Sequence, residues 1–95
     1  MSALWIAHVE VTDPDSYALY AKAAGPAIAA HGGVFLHRNG PYVQLEGQER
    51  KRNVVVRFPS LDAAVACYRS AEYQAAMEHS KNASVRDLVV VEELE

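Results

Sequence analysis

The sequence predicts an α+β domain built in the order β-α-β-β-α-β. Three observations lead there: strand-type alternation near both ends, two helical stretches opened by capping residues, and a polar middle punctuated by Gly and Pro between short apolar strands. Ninety-five residues suffice for one core and not two, so residues 1–95 are read as a single domain.

From Ala3 to Val11 one parity (Ala3, Trp5, Ala7, Val9, Val11) is apolar throughout. The other runs Leu4, Ile6, His8, Glu10, apolar first and polar last, which suits a strand with one dry face and one mixed face. Thr12-Asp13-Pro14-Asp15 then supplies an N-cap, a proline suited to a first helical turn and an acid that complements the helix dipole. Tyr17, Tyr20, Ala21, Ala24, Ala27 and Ile28 recur at helical spacing. Gly25-Pro26 falls among them and predicts a kink, because proline cannot donate to the carbonyl one turn back. Gly32-Gly33 after His31 stops the helix.

Val34 to Arg38 reads as a second strand and Asn39-Gly40-Pro41 as a turn. Tyr42 to Leu45 is expected as a short extended piece, followed by a polar loop from Glu46 to Asn53 in which Arg50-Lys51-Arg52 is solvated. Val54 to Phe58 forms the third main strand, closed by Pro59. Ser60 caps an Ala-rich helix, and Ser70-Ala71-Glu72 offers a fresh cap, so this region is expected in two pieces, roughly 61–69 and 71–79. Leu88 to Leu94 is the last strand. Two β-α-β units around one hairpin make the ferredoxin-like arrangement, a four-stranded antiparallel sheet with its helices on one face.

Such a sheet leaves its second face bare. Val55 on one strand and both parities of the Val-rich last strand make that face apolar, so two sheets are expected to pair in a homodimer. His8, Glu10 and Arg57 would then line a partly polar space between the sheets.

Composition narrows the partners. The formal net charge is -3 with 22% charged residues, which argues against nucleic acid, whose phosphates need clustered Lys and Arg. A lone Cys67 allows no internal disulfide, and the first residues form neither a signal peptide nor a membrane span, so a cytoplasmic protein is expected.

The stretches VTDPDSYALYAKAAGPAIAAHGG, RNGPYVQLEG and VVVRFPSLDAAVACYRSAEYQ resemble the family known as domain of unknown function 1330. The likeness runs from about Trp5 to Glu92 and is most specific at Phe58 to Gln74. It implies a ferredoxin-like fold dimerising through its sheets as a dimeric α+β barrel, in a superfamily that includes antibiotic-biosynthesis monooxygenases, muconolactone isomerase and chlorite-dismutase-like proteins. It implies no particular reaction. Cys67 stands where that family usually has Trp, and Ser80 or Lys81 where Arg is typical.

Residues that could carry chemistry are few. The four histidines, His8, His31, His37 and His79, form no metal-ligand spacing, so neither metal nor cofactor is signalled. His8 and His37 lie inside strands and are candidates to move a proton near neutral pH. Arg38 and Arg57 could hold a carboxylate or stabilise an oxyanion, while Tyr20 and Tyr68 could wall an aromatic site. Cys67, in an Ala-rich helix with no adjacent base, is a poor nucleophile. Two functions follow as expectations: binding of a small aromatic or carboxylate molecule, with or without cofactor-independent catalysis, or a non-catalytic dimeric module of structural or stress-associated role.

Overall fold

The alternation at the N-terminus becomes strand β1 (Ala3–Val11), in which Ala3, Trp5, Ala7 and Val9 are buried and His8 and Glu10 are exposed. The computed structural model describes residues 1–94. Helix α1 (Pro14–Ala30) follows, with Asp13 as its N-cap accepting from the Ser16 amide at 3.3 Å. Gly25-Pro26 does not end it. Pro26 and Lys22 both lie on the exposed side, so the carbonyl that loses its partner is left to water and the helix runs on to Ala30.

Strands β2 (Val34–Arg38) and β3 (Arg52–Phe58) form the hairpin. The expected short strand at Tyr42–Leu45 is absent: this segment pairs with no neighbour, Val43 and Leu45 face solvent, and the loop is held by Tyr42 donating to Glu49 at 2.7 Å. Helices α2 (Leu61–Arg69) and α3 (Ala71–Ser80) are the two pieces expected. Ser70 joins them, its hydroxyl donating to the Cys67 carbonyl at 2.7 Å and accepting from the Tyr73 amide at 3.2 Å.

Strand β4 (Ser84–Glu92) opens four residues before the apolar run at Leu88. The Ala83 carbonyl accepts from the amides of Thr12 and Asp13, at 2.8 and 3.0 Å, which ties the start of β4 to the end of β1. Asn82 makes that turn with φ 60.

The strands form one antiparallel sheet in the order β2-β3-β1-β4. The helices cover one face over a core of Trp5, Phe58, Tyr20, Ile28, Cys67 and Tyr73. Close packing leaves no room at Gly33, where a Cβ would stand 2.5 Å from Ile28 Cγ2. On the other face Ile6 sits between Val55 and Val89, and Leu4 between Arg57 and Val91. Val85, Val89 and Val91 are exposed there, with no element among the described residues above them.

Candidate functional site

The register aligns chemistry on the covered face. Val9 pairs with Arg52 on one side and Arg86 on the other, so both arginines share the buried parity of β1. Arg38 joins them from β2, because a bulge between Phe35 and His37 shifts the register by one. It sets Arg38 opposite Val54 on the helix side, its guanidinium 4.4 Å from the centre of the Phe35 ring.

Over these arginines lie Tyr17, Tyr20, Ala21 and Ala24 of α1, whose small residues let the helix approach. Tyr73 of α3 completes the group. Its hydroxyl and that of Tyr20 are 2.6 Å apart, and Arg86 Nη2 donates to each at 3.0 Å. Arg86 also lies over the Tyr20 ring at 4.7 Å, and Arg52 over the Tyr17 ring at 5.1 Å. Between them remains a cavity of about 30 Å³, bordered by Trp5, Ile28, Phe35 and Gly25. That is room for one or two water-sized groups.

Its electrostatics are one-sided. Burial pushes the hydroxyls of Tyr17, Tyr20 and Tyr73 above the ordinary tyrosine range, so each stays neutral beside the arginines. The Nε atoms of Arg52 and Arg86 are buried and bond to nothing. Among the described residues the ion pairs are Arg50–Asp87, Arg57–Glu93 and Lys81–Glu78, and none reaches the cavity.

A titration follows from the tyrosines. Their folded pKa values lie above the unfolded ones, so their contribution to stability is intact below about pH 10 and is lost as pH rises beyond it. Ultraviolet titration should therefore leave Tyr17, Tyr20 and Tyr73 protonated past pH 10 until the fold opens. All five tyrosines titrating together in native protein would show that water reaches the cluster.

Of the residues singled out in the sequence, Tyr20 and Arg38 meet at this cavity. His8 and Arg57 do not, since they lie on the open face. There the His8 ring bonds Asn53 at 2.6 Å, and Arg57 holds Glu93 with two bonds of 2.7 and 3.3 Å. His37 pairs with Val55 on that same face, and its Nε2 accepts from the Gly40 amide at 3.2 Å. Tyr68 borders a separate groove of about 500 Å³ between α2 and β4, with Trp5, Leu61, Val65, Arg69 and Leu88.

Arg52 and Arg86 were not singled out as site residues. Arg52 was expected in a solvated run, yet it opens β3 on the inward side, held there by its pairing with Val9. The signal for both was parity: Arg52 falls in step with Val54, Val56 and Phe58, and Arg86 with Leu88 and Val90. Cys67 is fully buried, and its thiol is pushed up to about 11 by burial and then by Glu72, which leaves it unreactive near neutral pH.

A model of the domain of unknown function DUF1330 matches residues 2–94. The chain belongs to the DUF1330 family. Among curated proteins none matches it. Solved structures share its fold. A protein of unknown function from Rhodopseudomonas palustris superposes with a TM-score of 0.79 at 20% identity, covering 99% of this chain and 83% of that one. A dimeric ferredoxin-like protein of unknown function from Thermobifida fusca gives 0.65 at 20% identity, over 96% and 90% of the two chains. SnoaB, a cofactor-independent oxygenase from Streptomyces nogalater, gives 0.65 at 10% identity, over 99% and 94%. At such identities the likeness concerns the fold of this DUF1330 member. No helix among the described residues is long and apolar enough to cross a membrane.

Proposed function

We propose that this DUF1330 chain is a cytoplasmic small-molecule-binding protein, a homodimer paired through its open sheet faces, with its ligand in the cavity between α1 and the sheet. The observation that carries the reading is that Tyr17, Tyr20, Arg52 and Arg86 border unfilled space beside the apolar side chains of Trp5, Ile28 and Phe35. Apolar walls with a few converging polar heads are the usual form of a ligand site. The dimeric description of the Thermobifida relative supports pairing, and the exposed valines of β4 need a cover.

Such a cavity can orient a ligand and stabilise negative charge that develops on it. No histidine borders it, so proton transfer by His8 or His37 finds no support in this geometry. Cofactor-independent catalysis, the activity of SnoaB, would here rest on Arg86 and Tyr20 as stabilisers of an oxyanion. The second reading, a non-catalytic dimer, is favoured by one observation: the two tyrosine hydroxyls already satisfy each other.

Gly25 provides the test. It borders the cavity inside a helix, and a Cβ there would meet nothing within 4 Å. Gly25→Ala is expected to stabilise the protein by about 0.5–1 kcal/mol through helix propensity alone. Gly25→Leu instead places a large side chain in the open space beside the cavity. Thermal shifts with a broad panel of small organic molecules should show ligands for the wild type that Gly25→Leu no longer binds. A folded Gly25→Leu variant binding every hit like the wild type would sink the reading, as would a panel without hits.

A further inference from the structure

The groove of about 500 Å³ beside β4 is walled by Leu61, Val65 and Tyr68 of α2 and by Leu88 and Val90 of the sheet. Leu61 and Tyr68 are each 38% exposed, so its walls meet water in the single chain. Val89 borders it too, although that residue belongs to the open face, so groove and open face are continuous around the edge of the sheet. β4 is the outer strand, bonded to β1 alone among the described strands, and a free edge nine residues long ordinarily carries a cover.

Another segment of the chain has the matching defect. Val43 and Leu45 are 81% and 88% exposed, two aliphatic side chains left in water. Their segment pairs with neither edge of the sheet, and the Tyr42–Glu49 bond closes the loop around them. The Tyr42 hydroxyl is raised above the ordinary tyrosine range chiefly by Glu49 and least by Glu10, an open-face residue, which sets it near that face. Glu46 follows Leu45, and Arg69 borders the groove. Neither is in an ion pair among the described residues.

We infer that the occupant of the α2–β4 groove is this segment of a second copy, with Val43 and Leu45 entering between α2 and β4 and Glu46 meeting Arg69. The inference rests on the reading of the protein as a homodimer paired through its open sheet faces. In a two-fold pairing whose axis runs along the strands, rotation reverses the order β2-β3-β1-β4. The β2 edge of each copy then lies over the β4 edge of the other, and the loop that leaves β2 is carried to the partner's groove. From Arg38 to Leu45 the chain can span roughly 23 Å, against about 10 Å between packed sheets. Pockets of about 300–1,000 Å³ take drug-sized molecules, so two aliphatic side chains fit this one. By symmetry the contact forms twice in each dimer.

The experiment mixes two preparations of the intact chain. One carries a nitroxide on Gln44→Cys, which leaves Val43 and Leu45 in place, and has no isotope label. Cys67 is fully buried, so the nitroxide goes to the introduced thiol. The other is wild type with isotope-labelled methyl groups, so every broadened signal reports a contact between copies. The methyls of Leu61, Val65 and Leu88 should broaden most. Broadening strongest at Ile6 and Val55, with the groove methyls sharp, overturns the docking and leaves the sheet pairing standing. In sedimentation, the double variant Val43→Ser, Leu45→Ser should raise the dimer dissociation constant at least tenfold. Its circular dichroism should match the wild type, because both side chains are exposed in the single chain. Any smaller change in the dissociation constant also overturns the docking. A monomeric wild type removes sheet pairing and docking together.

Discussion

Ile6→Asp is expected to turn the proposed homodimer into a monomer at the micromolar concentrations of a sizing experiment. Ile6 lies on the central strand with Val55 and Val89 as its open-face neighbours, so it marks the middle of the surface proposed to meet a partner. In a two-fold pairing the same substitution enters the interface twice. A carboxylate taken from water into an apolar contact without a partner costs several kcal/mol. A loss of only about 3 kcal/mol per dimer already weakens association more than a hundredfold. Val89→Asp, at a site 53% exposed in the single chain, should act in the same direction with less risk to the fold. Light scattering gives the mass and far-ultraviolet circular dichroism checks that the helices persist. A wild-type protein that is monomeric, or Ile6→Asp and Val89→Asp variants that stay dimeric, would remove the sheet-face pairing.

Trp5→Ala should cost about 3–5 kcal/mol, which for a small domain is most of its stability. Trp5 is 1% exposed, and its ring centre lies 5.5 Å from Phe58, 5.2 Å from Tyr73 and 6.1 Å from Tyr68. It ties the sheet to both α2 and α3 and also forms part of the wall of the cavity and of the α2–β4 groove. Trp5 is the only tryptophan, so urea unfolding must be followed by circular dichroism in the variant. A loss under about 1 kcal/mol would mean that the core refills the vacated space, contrary to the close packing seen around Gly33.

Much of the architecture was legible because the deciding signals are local. Asp13, Ser60 and Ser70 cap the helices that their neighbours in sequence suggest, and the alternation from Ala3 to Val11 matches its burial. The family resemblance pointed to the same fold. The start of β4 was not legible, because Ser84, Arg86 and Asp87 dilute the apolar signal and pairing to β1 fixes them from outside the segment. Tyr42 to Leu45 has the composition of a strand but pairs with neither edge of the sheet, and composition alone does not decide pairing. The cavity was legible only in part. Tyr20 and Arg38 were chosen for their chemistry, whereas Arg52 and Arg86 become a pair only when β3 and β4 flank β1 in register.

The irregularity in β2 has a consequence for which side chain the hairpin offers to the cavity. Strict alternation from Phe35 would direct His37 inward and Arg38 outward, and the one unpaired residue, Leu36, reverses both assignments. Drawing Leu36 into the pairing, with no residue lost, would thus exchange the two destinations at once. A permanently charged guanidinium would leave the rim of the cavity, and an imidazole, a side chain that can switch charge near neutral pH, would take its place. A one-residue slip of this hairpin would therefore present different chemistry to the same space with the helix side of the cavity unchanged, a change of register rather than of sequence.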